Sequence, residues 1–202
     1  MIVYLARHGE TFANRGKVVL GRGDSPLTPS GIESAEKLAA RLSGRQIRWV
    51  LSSPLGHASA SARLMADRLG AEVIHHDGLM ELSCGEWEGK TRGLILPSEG
   101  YLRSSWNDAP PGGESCQMAE TRVAEAIDWI RTRPNLGPLL VVGHSMVNRV
   151  FLKIRLGLSP ALAMSIRHPF DLIYVLREND APLWFDASGM TGAGLITDSS
   201  PL

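Results

Sequence analysis

The sequence predicts an α/β protein built on a mostly parallel sheet with an antiparallel edge. Short apolar runs, Ile2-Val3-Tyr4-Leu5, Trp49-Val50-Leu51-Ser52 and Leu139-Leu140-Val141-Val142, alternate with helix-length segments, the pattern of parallel strands joined by crossover helices. Two of these runs stop at a chemistry-bearing residue beside a glycine, Arg7-His8-Gly9 and Gly143-His144-Ser145. The carboxyl edge of a parallel sheet is where open α/β folds build their sites. The 202 residues fit one domain, 1–202, and no stretch reads as a linker between two.

In chain order, Gly9 breaks the first strand and Thr11 to Leu27 reads as a long functional loop, kept flexible by Gly16, Gly21 and Gly23. Thr28-Pro29 starts a helix with a capping oxygen and proline in the first turn; Ile32, Ala35, Leu38, Ala39 and Leu42 mark its apolar face. A second strand ends at Ser52, and Ser53-Pro54 opens a helix with Ala58, Ala62, Met65, Ala66 and Leu69 inward. Val73-Ile74-His75 continues as strand. His75 and His76 are neighbours, so on a strand they point to opposite faces and read as structural. Residues 88–113, rich in proline and glycine, suggest a lid, partly helical over Glu99 to Trp106. Glu114 opens a helix with Val123, Ala126, Ile127 and Ile130 inward. The buried strand 139–142 then feeds a helix carrying Val147, Val150, Phe151 and Ile154. Leu172 to Leu176 and Leu183 to Phe185 read as an antiparallel edge hairpin. The stretch 188–202 reads as a mobile tail, and His168 as a loop residue.

Charge is balanced, with 21 basic and 21 acidic residues, so net charge implies neither nucleic acid nor an acidic membrane as partner. No run approaches the ~20 apolar residues of a membrane span. The first residues lack a basic, then apolar, leader pattern, and two cysteines, Cys84 and Cys116, make no disulfide framework. A cytoplasmic location is the expectation.

Arg7 offers a planar fork of donors for a phosphate or carboxylate, and His8 a ring nitrogen able to attack or exchange protons near neutral pH. Around them stand Glu10-Thr11, Asn14, Asp24-Ser25-Pro26-Leu27-Thr28 and Gly31. Ser52-Ser53-Pro54-Leu55 follows, then Glu81 with Gly85-Glu86-Trp87-Glu88-Gly89, and Gly143-His144. As an ordered set these resemble the histidine phosphatase superfamily, the phosphoglycerate-mutase-like proteins. The resemblance implies a three-layer α/β/α sandwich and a reaction without metal or cofactor. It implies His8 as nucleophile and Glu81 as proton donor, with Glu86 and Glu88 as competing carboxyls. It further implies that Arg7, Asn14 and His144 hold the phosphate, with the amide of Ser145 at a helix start as an added donor. Gly21 and Arg22 stand where the family's loop approaches the pocket, with Lys17 or Arg22 able to swing in. Gly113-Glu114-Ser115 resembles the turn whose acid supports the site.

Two departures stand out. Val18 and Leu20 occupy places where the family carries Arg and Gln, which implies a loop that packs down or a more apolar mouth. His57 stands where the family keeps a second phosphate-binding Arg, removing a bidentate partner unless a protonated imidazole replaces it. The expected activity is hydrolysis of a small-molecule phosphate monoester, releasing inorganic phosphate. The alternatives are a mutase returning the phosphoryl group to substrate, or a weakened, non-catalytic phospho-ligand binder. Mutases of this family carry a longer, more basic insertion between the positions of Glu81 and His144 than the one present here.

Overall fold

The computed structural model describes residues 1–95 and 103–198. Its strands are β1 Val3–Arg7, β2 Trp49–Ser52, β3 Glu72–His75, β4 Leu139–Gly143, β5 Leu172–Leu176, β6 Leu183–Asp186 and β7 Thr191–Ala193. They form one seven-stranded sheet in the order β3-β2-β4-β1-β5-β6-β7. The first four run parallel to one another; β5, β6 and β7 follow as an antiparallel flank. The expected mostly parallel sheet is present, and its antiparallel side is a three-strand extension of the expected hairpin.

Side-chain alternation along β1 and β4 builds the two cores, because successive strand residues point to opposite faces. Tyr4, Ala6, Leu140 and Val142 pack with Ala35, Leu38, Leu42, Ala62 and Met65, from helices α2 Pro29–Leu42 and α3 Gly56–Leu69. Val3, Leu5, Leu139 and Val141 pack with Val123, Ala126, Ile130, Val147, Val150 and Phe151, from α5 Cys116–Arg131 and α6 Ser145–Leu156. Helices therefore cover both faces, as a parallel sheet requires. Thr28 caps α2 as expected, its side chain accepting from the Gly31 amide at 3.0 Å. On that helix Ile32 is exposed and Gly31 takes the buried place.

Three short elements were not expected. The loop after β1 contains α1 Phe12–Arg15, closed by a capping box between Thr11 and Asn14. Helix α7 Pro160–Ser165 follows α6. The stretch expected as a mobile tail holds β7, and beyond it Ile196 is buried and Thr197 bridges Ile166. In the expected lid, α4 Arg92–Ile95 follows a bridge between Val18 and Thr91. Residues 96–102, including Glu99, lie outside the described residues; Arg103 and Trp106 beyond them are buried. No described helix is long and apolar enough to cross a membrane.

Register fixes where the chemistry sits. Arg7 pairs with Gly143 at the ends of β1 and β4, and the His8 amide donates to the Gly143 carbonyl at 3.0 Å. His8 and His144 therefore leave the sheet side by side at its carboxyl edge.

Candidate active site

A cavity of about 850 Å³ opens at that edge, lined by Arg7, His8, Asn14, Gly21, His57, Glu81, His144 and Ser145 among others. All but one of the site residues expected from sequence meet there. The exception is Arg22. Its Nε donates to the Glu81 carbonyl at 3.2 Å and its guanidinium pairs with Glu114 at 3.4 Å, so it braces the segment behind the cavity instead of lining it. The cations lining the cavity include Arg7, Lys17, Arg92, Arg103 and Arg149.

Three imidazoles form the floor. His8, His57 and His144 are 4 %, 3 % and 1 % exposed, with ring centroids 4.5, 5.1 and 4.9 Å apart for the pairs 8–57, 8–144 and 57–144. Their protonation pattern follows from their partners. His8 Nδ1 lies 2.8 Å from the Gly9 carbonyl, which can only accept, so Nδ1 carries the proton and Nε2 of the neutral ring keeps its lone pair. Burial first, then His144, Arg7 and His57, push His8 well below the usual imidazole value. It is a neutral ring held in one orientation.

His57 Nδ1 lies 2.9 Å from Asp24 Oδ1, and the His57 amide donates to the same oxygen at 2.9 Å. Asp24 thereby caps α3, whose own N-cap, Leu55, has no side chain to offer. Gly56 is required here, since a Cβ at that position would run into the Asp24 carboxylate. Burial opposes the charge on Asp24, yet hydrogen bonds from His57 and Ser25 hold its pKa below the usual carboxylate range. The far side of His57, Nε2, lies 3.2 Å from His144 Nδ1. Asp24, His57 and His144 thus form a hydrogen-bonded chain ending at His144 Nε2, which is buried with no partner among the described residues. His144 too is pushed well below the imidazole norm, by burial and then by His57, Arg7 and Arg122.

Arg7 is held from the opposite side. Its guanidinium lies 3.9 Å over the Phe170 ring and donates to the His168 carbonyl at 3.2 Å. Burial pulls its pKa down to about 10, with Glu81 opposing. His168, read from sequence as a loop residue, is buried. Its Nδ1 accepts from Asn148 Nδ2 at 3.1 Å and its Nε2 donates to the Leu172 carbonyl at 3.2 Å. Asn148 Nδ2 also donates to the Ala6 carbonyl at 3.0 Å, tying α6, β1 and the Arg7 support together. A Cβ on Gly143 would collide with Asn148 Oδ1, which accounts for the glycine before His144.

Glu81 sits at the N-terminus of α6. Oε1 accepts from the Leu82 and Val147 amides at 3.0 and 3.1 Å, and Oε2 from the Met146 amide at 3.2 Å. The Ser145 amide is the donor of that turn not claimed by Glu81, in the place where helix N-termini receive anions. Behind Glu81, Arg122 donates to the Gly78 and Met80 carbonyls at 2.9 and 2.7 Å while gripping Glu114 through two bonds of 2.9 and 2.7 Å. Glu114 does support the site, through Arg122.

Other expectations resolve as follows. Asn14 lines the cavity, but its Oδ1 is committed to Thr11 in the α1 cap, leaving Nδ2 as the donor it can offer. Glu88 is no surface charge: Oε1 accepts from the Cys84 and Arg22 amides at 2.8 and 3.1 Å. It leaves no room for a Cβ on Gly21, whose φ is +55°. Val18, Val19 and Leu20 line the cavity and Val19 is buried, so the loop packs down and gives the cavity one apolar side. His75 and His76 are structural, bonded to Ser59 Oγ and the Gly78 amide. Asp24, Asn148, Phe170 and Arg122 are the supports that sequence reasoning missed. An asparagine amid the apolar face of the last long helix, and an Arg eight positions after Glu114, were the available signals.

Among curated proteins, the chain is similar to "Probable phosphoglycerate mutase GpmB" of Serratia proteamaculans, 34% identical over 166 residues, covering 80% of this chain and 77% of that one. Among solved structures it is similar to the alpha-ribazole phosphatase from Shigella flexneri, with TM-score 0.78 and 26% identity over 99% of this chain and 96% of the other. The mycobacterial glucosyl-3-phosphoglycerate phosphatase shares the fold, with TM-score 0.77 and 22% identity over 98% and 99% of the two chains. Residues 3–182 match the family model of the histidine phosphatase superfamily, branch 1. The chain belongs to that superfamily.

Proposed function

We propose that the protein is a phosphatase that hydrolyses a small phosphate monoester through a phosphohistidine on His8. The observation that carries this reading is the fixed tautomer of His8: a neutral ring whose Nδ1 proton is spent on the Gly9 carbonyl presents the Nε2 lone pair to the cavity. Nε2 attacks phosphorus in line and the bond to the ester oxygen breaks. Arg7, Asn14 Nδ2, the Ser145 amide and His144 hold the remaining oxygens. Positioning and charge stabilisation are most of what such a transition state asks of a protein. Glu81 gives its proton to the leaving oxygen. Its Oε2 accepts a single amide bond and so keeps room for that proton. Water then attacks the phosphohistidine, passes a proton back to Glu81, and inorganic phosphate leaves.

His57 serves the phosphate indirectly in this reading. The Asp24 carboxylate turns the His57 ring so that its Nε2 meets His144, and a proton entering the pair makes His144 Nε2 a donor toward the anion. The chain replaces a bidentate guanidinium with a relay.

The mutase reading rests on the name of the curated relative and remains an alternative chemistry for the same phosphohistidine. The two separate on what receives the phosphoryl group. With p-nitrophenyl phosphate and then a panel of phosphorylated metabolites, in buffer containing EDTA, release of inorganic phosphate equal to substrate consumed supports the phosphatase. Isomerised phosphoester without phosphate release supports the mutase. Tight binding of phosphate with neither product means a non-catalytic binder.

A further inference from the structure

We propose that the His8–His57–His144 cluster is also a binding site for a divalent transition metal ion such as zinc. One nitrogen of each ring lies within 4.8 Å of the others and all three residues are buried. His57 Nε2 and His144 Nδ1, at 3.2 Å, already stand at about the 3.3 Å ligand separation of a tetrahedral zinc with Zn–N near 2.0–2.1 Å. The outer partners are those that metal-bound histidines use: a backbone carbonyl on His8 Nδ1 and a carboxylate on His57 Nδ1. Such partners fix the tautomer and aim the opposite nitrogen at the metal.

The protonation logic points the same way. Because Gly9 O faces Nδ1 of His8 and Asp24 Oδ1 faces Nδ1 of His57, the opposite nitrogen of each ring is the one turned toward the other two imidazoles. The proton shared between His57 Nε2 and His144 Nδ1 is the one a metal displaces. Arg7, Lys17, Arg92, Arg103 and Arg149 are the opposing charges lining the cavity; Glu81 faces Arg7 and Asp24 faces His57. The cavity leaves a fourth position open, as in sites that take a water or an exogenous ligand. Arginine at position 57 could not do this, since a guanidinium offers no lone pair. The site therefore belongs to this chain's departure at His57, and it does not depend on the reaction proposed above. An ion held there ties up the His8 lone pair.

Cobalt(II), the spectroscopic stand-in for zinc, tests it. The full chain, stripped with EDTA and dialysed, is titrated with Co(II) and followed by visible absorption, with circular dichroism as the check on fold. The expected result is one equivalent bound with the intense absorption of a four-coordinate ion, competed away by zinc. His57→Arg, the near-isosteric His57→Gln, and His144→Gln are each expected to weaken binding at least about ten-fold. Only the weak absorption of a six-coordinate, largely hydrated ion in the wild type overturns the proposal. So does cobalt binding that any folded one of these variants leaves unchanged.

Discussion

Among single residues, the placement of protons decides what the cavity can do. His8 and His57 each give a proton to an oxygen that cannot return one, so before any ligand arrives the second nitrogen of His8 is turned to the cavity and that of His57 to His144. Preorganisation of this kind removes reorientation from the reaction step. It follows that His57→Ala should lower kcat/KM by about 10²-fold, the scale of losing one transition-state donor, because His144 loses its partner. His57→Arg should retain or raise turnover. Asp24→Asn should fall between wild type and His57→Ala, since an amide oxygen can still accept from the ring but more weakly than a carboxylate. Initial rates with one ester across the four proteins check this, and equal rates would remove His57 and Asp24 from the mechanism. His8 and His144 were legible in the sequence because each stands at a strand end whose place the apolar runs fix, and Glu81 because it precedes the motif Gly85-Glu86-Trp87-Glu88-Gly89. The Asp24–His57 contact was not. It joins residues 33 positions apart and exists only once the loop after β1 folds over α3. Arg22 misled for the same reason: its partners are a backbone carbonyl and Glu114, and carbonyl positions are invisible to residue type.

Between residues and molecule stand the elements that carry the acid and the Arg. The segment bearing Glu81 has little secondary structure of its own. It is held by Arg122, which bonds two of its carbonyls and is itself clamped by Glu114. Burial raises the Glu114 pKa, but Arg122 and Arg22 outweigh it and leave the carboxyl below its usual range. Truncating the clamp with Arg122→Ala should cost about 1.5–3 kcal/mol, the range for hydrogen bonds to charged groups. Because Glu81 loses its support, kcat should drop about ten-fold or more. Thermal melting and steady-state kinetics on the same preparation test both halves; unchanged values would mean that the segment is positioned by α6 alone. Long elements were readable by periodicity: α2, α3, α5 and α6 each show an apolar face repeated over three turns or more. Short ones were not. Helix α1 spans 4 residues and β7 spans 3, too few for a period to declare itself, and β7 contains a glycine where strands prefer bulk.

For the molecule as a whole, the sheet edge concentrates buried imidazoles, and that leaves a mark on stability. His8, His144 and His168 are buried and held below the ordinary value of 6.5, by burial in each case; His168 lies at about 3. As pH falls through 6.5 the unfolded chain takes up protons on these rings while the folded chain does not. The unfolded state then binds more protons, so stability is full above 6.5 and is lost toward the folded-state values. Each such ring contributes a slope approaching about 1.4 kcal/mol per pH unit. The depressed carboxylates Glu10, Asp24 and Glu114 act in the same sense but only below the carboxylate range of about 4.5, so the window between pH 6.5 and about 5 isolates the histidines. Denaturant unfolding at fixed pH steps in EDTA buffer should show stability declining across that window; a flat profile would mean that these rings ionise in the folded protein.

Covalent phosphorylation of His8 in turnover is what the proposed chemistry requires. It is met most directly by rapid quenching of enzyme and labelled phosphate ester into alkaline detergent, which preserves phosphoramidates, followed by peptide mass spectrometry. The expected result is a phosphoryl group on the His8 ring that appears within the first turnover, decays as phosphate is released, and is absent from His8→Gln. Wild-type enzyme that turns over steadily with no label on His8, or with label on another residue, would contradict it.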